Sequence, residues 1–198
     1  MTRLVEIEVS HDLLERARRG DERAQAEIYA AVASTTFALI RRLVGHRTIA
    51  EDLFQDTMMA LYERLTEYRG EAPLGAWLRQ IAISKCLMFL RSPWQRARLR
   101  LEGMSAEDAQ THVPTLLTTP APREESFDVE RALASLSPTA RAVIWLYEVE
   151  GYSHQEIARS FGRSISFSKS QLARAHARLR EWFEPNGGGQ ACTPIKSE

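Results

Sequence analysis

A run of cationic side chains spans residues 163–180, and no acidic residue interrupts it. Its members are Arg163, Lys169, Arg174, Arg178 and Arg180. On one helix such groups can pair with the phosphates of a nucleic acid. The whole chain balances 26 basic against 26 acidic residues, so the run is a local concentration of charge. The pattern predicts a DNA-binding helix, and a solvated cationic face is the alternative.

The residues before and within this run predict the elements that position it. Ser153 and Glu156 have the spacing of a capping box that begins a short helix, and Gly162 allows a tight turn. Ser164 or Ser166 can cap the long helix that follows. A helix-turn-helix of this kind places its second helix in the major groove of DNA. DNA binding is therefore the favoured interpretation of this part of the chain.

An acidic stripe is predicted on a helix in the first half of the chain. Its residues are Asp52, Gln55, Asp56, Met59 and Glu63, with Glu51 beside them. No pocket pattern, nucleophile or metal-binding histidine accompanies these carboxylates, so a catalytic role is a poor interpretation. The stripe predicts a docking surface for a basic partner, and an ordinary solvated face remains the alternative.

The next predicted helix carries an aromatic residue among polar and basic ones. Along one side lie Trp77, Ser84, Met88 and Arg91, with Gln80 and Lys85 nearby. An aromatic ring with interleaved polar groups can stack on unpaired bases and hydrogen-bond to them. The other interpretation is that Trp77 belongs to the core, and the sequence leaves both open.

Apolar residues recur at helical spacing, which predicts an all-α protein. In the first half we expect a helix capped by Ser10 and ending at Gly20, a helix from Asp21 toward Gly45, a helix opened by a capping box at 48–51 and reaching about Glu67, and a helix from Pro73 through Arg91. In the second half we expect a helix over 128–136 and a helix opened by Ser137 and Pro138 that ends at Gly151, followed by the pair described above.

These elements divide into two small helical domains joined by a flexible linker. The predicted boundaries are an N-terminal extension at 1–9, a first domain at 10–95, a linker at 96–127, a second domain at 128–184 and a flexible tail at 185–198. A linker of this length reaches at most roughly 100 Å when extended, so the domains could lie well apart. Neither domain has a marked excess of either charge, so each alone should bind DNA weakly.

Several classes of protein are disfavoured by composition. No apolar run approaches the roughly 20 residues that cross a bilayer, and residues 1–10 lack the pattern of an export signal. Cys86, Cys192 and the scattered histidines suggest neither a disulfide framework nor a metal site. We therefore predict a cytoplasmic protein with no cofactor, no metal and no direct membrane insertion.

Taken together, these motifs resemble the bacterial sigma-70 family of RNA polymerase initiation factors, in its extracytoplasmic function (ECF) class. Residues 50–57 resemble region 2.2, residues 68–78 resemble region 2.3, and the segment from Ile81 occupies the position of region 2.4. Residues 133–138 and 151–180 are similar to regions 4.1 and 4.2. Both blocks occur in this order around a linker, which is what makes the resemblance specific.

The resemblance implies a non-enzymatic transcription initiation factor that binds core RNA polymerase and promoter DNA, with an anti-sigma factor or other regulator as a further partner. The implied polymerase-docking residues are Glu51, Asp52, Gln55 and Asp56. The implied −10 residues are Trp77, Ser84, Lys85 and Arg91. The implied −35 residues are Ser166, Phe167, Lys169, Gln171 and Arg174.

The chain departs from the family pattern at a few positions. Ser84 stands where the family usually has Asn, Met88 where a polar residue is common, and Gln171 where Arg is usual. These departures predict an unusual promoter or weak intrinsic activity. They also motivate an alternative function, a sigma-like regulatory module that sequesters a partner without productive promoter recognition.

Overall fold

A computed structural model of the protein describes residues 4–92 and 124–184, with side chains described from residue 129 onward in the second range. All regular elements in these ranges are helical, which confirms the predicted all-α class. The first half contains a 3-10 turn at Leu4–Glu6, then α1 (His11–Arg18), α2 (Glu22–Val44), α3 (Arg47–Glu63) and α4 (Leu74–Arg91). The second half contains α5 (Glu124–Ala134), α6 (Pro138–Ile144), a π-helical turn at Trp145–Val149, α7 (His154–Phe161) and α8 (Ile165–Phe183).

Side-chain caps begin most of the helices where the sequence predicts them. Ser10 accepts a hydrogen bond from the Leu13 amide, and Asp21 caps α2 in the same way. Ser153 and Glu156 form the reciprocal capping box of α7. Of the two serines considered for α8, Ser164 is the cap. The caps satisfy amide groups that the first turn of a helix leaves without a partner.

Some predicted helix boundaries are wrong. The capping box at 48–51 is not formed, because the left-handed Gly45 ends α2 and the extended His46 already serves as the N-cap of α3. That helix ends at Glu63 rather than near Glu67, and Pro73 is the N-cap of α4 rather than its first residue. In the second half, α5 begins at Glu124, within the stretch predicted as linker. The rest of the predicted linker and the tail at 185–198 lie outside the described residues.

The core of the first half lies between α2, α3 and α4. Its fully buried large side chains are Ile28, Val32, Ile40, Leu43, Val44, Ile49, Leu61, Leu74, Leu78 and Leu90. The predicted N-terminal extension also packs on this core: Leu4 is buried, and the Gly75 amide donates to the Ile7 carbonyl. The glycine allows this approach, because a Cβ at position 75 would lie 1.8 Å from the Leu4 carbonyl oxygen.

The two halves pack against each other. Helix α6 lies on α2, and α7 lies on α4, so the buried residues of both halves form one continuous hydrophobic cluster. None of the helices in the described ranges is both long and apolar enough to cross a bilayer. The long linker of the sequence prediction therefore joins two units that are in contact in this structure.

Candidate protein and nucleic-acid interfaces

The acidic stripe forms an exposed face of α3. Asp52, Gln55, Asp56, Met59 and Glu63 are all exposed, whereas Leu53 and Met58 on the inner side are buried. Glu51 is half-buried and accepts a hydrogen bond from Arg47 Nε at 2.8 Å. Met59 is 60% exposed, which gives the acidic face an apolar contact point. The structure thus brings all four predicted docking residues together on one helix and fixes Glu51 by an ion pair.

Trp77 on α4 is half-buried, so part of its side chain packs on the core and part is accessible. Its ring packs against Tyr68 with the centroids 5.4 Å apart, and it borders the hydrophobic cluster. Tyr68 is itself buried and donates from its hydroxyl to the Ala72 carbonyl. The loop before α4 therefore holds the Trp77 ring in a defined orientation while part of the ring stays accessible.

The remaining −10 candidates lie on the same helix with different exposure. Ser84 and Arg91 are exposed, Lys85 is half-buried, and Met88 is 67% exposed beside them. Arg91 approaches the second half, since a Cβ at Gly162 would lie 3.2 Å from its Nη2 atom. Ser84 and Met88 thus form an open surface, and Arg91 lies at its border with α7.

The −35 candidates are distributed around the first turns of α8. Ser166, Lys169 and Arg174 are exposed, and Gln171 is half-buried. Phe167 is half-buried as well, with its ring 5.6 Å from that of Phe161. The Phe167 ring therefore stabilises the turn between α7 and α8 by packing on Phe161.

A second contact fixes α8 against α7 from the inner side. Ser168 is fully buried and lies 3.0 Å from His154, measured from Oγ to Nδ1. Leu172 and Ala175 continue the buried face of the helix. The cationic side of α8 is consequently presented outward by a well-packed inner side.

A groove runs between α8 and the segment 135–140. Phe167, Gln171 and Arg174 line it together with Arg178, which belongs to the cationic run but was not among the −35 residues implied by the family resemblance. The signal for Arg178 was present in the sequence, because residues four apart on a helix share a face and Arg178 follows Arg174 at that spacing. Arg178 also pairs with Glu181 at 3.2 Å, and both side chains are exposed. Ser166 and Lys169 lie outside this groove.

None of the described residues forms a cluster of three or more His, Cys, Asp or Glu side chains that could hold a metal ion.

Family models match both halves of the chain. A model of sigma-70 region 2 matches residues 28–96, and a model of sigma-70 region 4 matches residues 126–179. The chain belongs to the sigma-70 family. The region 2 match covers α3 and α4, and the region 4 match covers the helix-turn-helix formed by α7 and α8.

Similar curated proteins place this sigma factor in the ECF class. The ECF sigma factor SigM of Mycobacterium tuberculosis is 31% identical over 80% of this chain and 84% of its own length. The ECF sigma-E factor of Haemophilus influenzae is 27% identical over 87% of this chain and 94% of its own. The ECF sigma factor SigE of Mycolicibacterium smegmatis is 28% identical over 83% of this chain, which spans 64% of that protein.

A solved sigma factor structure supports the same conclusion. The sigma factor RpoE of Bartonella quintana, crystallised in complex with the anti-sigma factor NepR, superposes with a TM-score of 0.51 and 25% identity. The match covers 81% of this chain and 97% of that one. Sigma factors are in general non-enzymatic transcription factors.

Proposed function

We propose that this ECF sigma factor binds core RNA polymerase through the acidic face of α3 and directs it to promoters with α4 and α8. The observation that carries the proposal is that two exposed helix faces of opposite charge lie within the segments matched by the region 2 and region 4 models. The protein acts in the cytoplasm, performs no catalysis of its own and needs no cofactor.

Docking on polymerase uses Glu51, Asp52, Gln55 and Asp56. The carboxylates of Glu51, Asp52 and Asp56 complement a basic partner surface, which accelerates encounter and fixes the orientation of the complex, and the Gln55 amide can add a hydrogen bond. Met59 contributes an apolar contact in the middle of this face. The buried side of α3 keeps these residues on a rigid helix, so little side-chain ordering is needed on binding.

At the −10 element, Trp77, Ser84, Lys85 and Arg91 contact the melted strand. The accessible part of the Trp77 ring stacks on an unpaired base, and its packing on Tyr68 means that the ring is ordered before DNA arrives. Ser84 supplies a hydroxyl that can donate or accept. Lys85 and Arg91 neutralise backbone phosphates.

At the −35 element, α8 lies in the major groove with Ser166, Phe167, Lys169, Gln171 and Arg174 toward DNA. Lys169 and Arg174 position the helix on phosphates, while the Gln171 amide can read a base edge. Arg178, in the same groove as Gln171 and Arg174, extends the phosphate contacts. Phe167 contributes an apolar contact while it holds the turn against Phe161.

The alternative of a sequestering module rests on Ser84 and Met88. It receives no support from the relatives described above, each of which is named as an RNA polymerase sigma factor. An anti-sigma factor is a further partner that we propose here, by analogy with the crystallised complex of the Bartonella quintana protein.

Run-off transcription with purified core polymerase tests the proposed function. We expect wild-type protein to produce transcripts from a subset of genomic fragments. The double variant Asp52→Lys/Asp56→Lys should weaken core binding by roughly a hundredfold, since like charge then faces a basic surface. The matched control is Glu27→Lys, an exposed acid on α2 outside the docking face. Unchanged core binding by the double variant would contradict the docking assignment, and no transcript from any fragment would contradict the function.

A further inference from the structure

A largely buried ion pair joins the two halves of the molecule. Arg79 of α4 donates from Nε to Glu150 Oε2 at 2.5 Å and from Nη2 to the Glu150 carbonyl at 2.8 Å. The two side chains are only 15% and 12% exposed. Such a pair favours one docking geometry, because loss of either partner leaves the other charge without its ionic partner in a place with little access to water.

Groups from both halves surround this pair. Trp145 donates from Nε1 to Glu150 Oε1 at 3.1 Å, so both oxygens of the carboxylate are engaged. The Tyr152 hydroxyl donates to Gln80 Oε1 at 2.9 Å, and the Arg79 guanidinium lies 5.2 Å from the centroid of the Tyr152 ring. Burial raises the pKa of Tyr152 above its usual value. The contact is therefore a polar network with specific partners, set within the shared hydrophobic cluster.

A second contact between the halves has close steric complementarity. Arg141 of α6 is buried and donates to the Leu133 carbonyl, and its guanidinium fills the space beside Gly45. A Cβ at position 45 would lie 1.7 Å from Arg141 Nη1. Burial lowers the pKa of Arg141 to about 10, so it remains charged at neutral pH. Gly45 ends α2, and a cation is favourable at the C-terminal end of a helix.

The closed arrangement places the two proposed DNA-reading helices side by side. Leu90 and Arg91 at the end of α4 line the same small pocket as Phe167 at the start of α8. Two promoter elements separated by two turns of DNA lie about 70 Å apart. One molecule in this conformation cannot reach both, so promoter binding requires that the halves separate. This step rests on the proposed function.

We propose that Arg79 and Glu150 form an interdomain latch that holds the free protein in a closed, autoinhibited conformation. Because the halves are tethered, their effective concentration is on the order of millimolar, and a weak interface is sufficient to keep them closed. The affinity for promoter DNA is then reduced by the fraction of molecules that are open. A complex of polymerase and promoter shifts the population toward the open form, because only that form can contact the −10 and −35 elements at the same time.

Distance measurements between spin labels test the latch without reference to transcription. Labels are attached at Thr66→Cys and Ala173→Cys, exposed positions on the two halves, in a Cys192→Ser background. Cys86 stays unlabelled, because it is buried and its burial raises the pKa of the thiol. Wild type should give one short distance. Glu150→Gln and Arg79→Glu should each increase the open population relative to the closed one roughly tenfold or more.

Two further variants separate the latch from a general loss of folding. The charge-exchanged double variant Arg79→Glu/Glu150→Arg should restore the short distance. Glu148→Gln, which removes an exposed partner of His176 within the second half, should leave the distance unchanged. Retained helical circular dichroism shows that each variant is folded. A short distance retained in both single variants would overturn the latch.

The same variants in promoter binding and run-off transcription distinguish the latch from the function. Opening the latch should raise the affinity of the unlabelled protein for promoter DNA by roughly tenfold, and the label at position 173 is left out because it lies on the proposed DNA-reading helix. Longer distances without transcripts from any variant would uphold the latch and overturn the proposed function. Normal transcription with unchanged distances in Glu150→Gln and Arg79→Glu would uphold the function and overturn the latch.

Discussion

The two halves of this sigma factor expose helix faces of opposite charge, and their cores differ in the number of fully buried large side chains. The acidic face of α3 sits on a bundle with many fully buried large side chains, whereas the described core of the second half has few, among them Val143, Leu146 and Ile157. The second half is stabilised in addition by the capping box of α7 and by its contacts with α2 and α4. We therefore expect the second half to depend on its contacts with the first half for stability more than the first half depends on the second.

Core truncation should give the largest difference between the halves. Leu61→Ala in α3 is expected to lower the free energy of unfolding by about 3 kcal/mol, from lost burial and the cavity left behind. Because the second half packs on the first half, amide exchange should accelerate in both halves. Leu146→Ala should accelerate exchange only in the second half.

Hydrogen exchange resolved by peptide, together with denaturant titration, measures both variants. Thr66→Ala, at an exposed position of the first half, is the control and should leave exchange unchanged. If Leu146→Ala accelerated exchange in α2 and α3 as strongly as in α7 and α8, the two halves would be a single cooperative unit. The first half would then not be stable independently of the second.

Substitutions on α8 should separate base reading from phosphate binding in the cationic half. Gln171→Ala is expected to cost about 2 kcal/mol at the cognate −35 sequence and little elsewhere, since it removes a base contact. Arg174→Ala should weaken binding to every sequence and reduce the slope of log affinity against log salt by about 0.9.

Fluorescence anisotropy with cognate and scrambled −35 duplexes at several salt concentrations measures both effects. Arg159→Ala, on α7 outside the groove, provides a charge-matched control for Arg174→Ala. If Gln171→Ala lowered the affinity for both duplexes equally, Gln171 would not read a base and would be only a structural part of the groove.

Loss of a cap should give the smallest effect and should again distinguish the halves. Ser153→Ala removes the capping box of α7 and is expected to destabilise the second half by about 1 kcal/mol. Ser10→Ala, its counterpart in the first half, removes the cap of α1. Exchange in α8 should accelerate in the first variant and remain unchanged in the second.

The pH dependence of the Ser153 variant sharpens this test. Hydrogen bonds from the Ser153 hydroxyl and amide lower the pKa of Glu156. A lowered pKa in the folded state stabilises the protein above the pKa of the unfolded chain, about 4.3, and this contribution disappears as pH falls through the folded value. The difference between wild type and Ser153→Ala should therefore shrink below about pH 4. A constant difference in denaturation midpoint from pH 3 to pH 6 would contradict the role of Glu156.

Helix placement and the two charged faces could be predicted from the sequence because they depend on neighbours a few residues apart. Ser10, Asp21 and Ser153 cap helices by bonds to amides two or three residues ahead. The exposed face of α3 follows from the period of the helix alone. The error at 48–51 arose where two local signals competed, because a possible capping box follows a left-handed glycine by a few residues.

The sequence by itself thus determined the family, the all-α class and the sign of charge on α3 and α8. Only the tertiary structure decided that the two halves are in contact, that Arg178 lines the groove with Gln171, and that Trp77 is held by Tyr68. The ion pair between Arg79 and Glu150 joins residues 71 positions apart. A contact at that separation has no periodic pattern in the sequence, because it depends on how whole helices pack and not on the preferences of neighbouring residues.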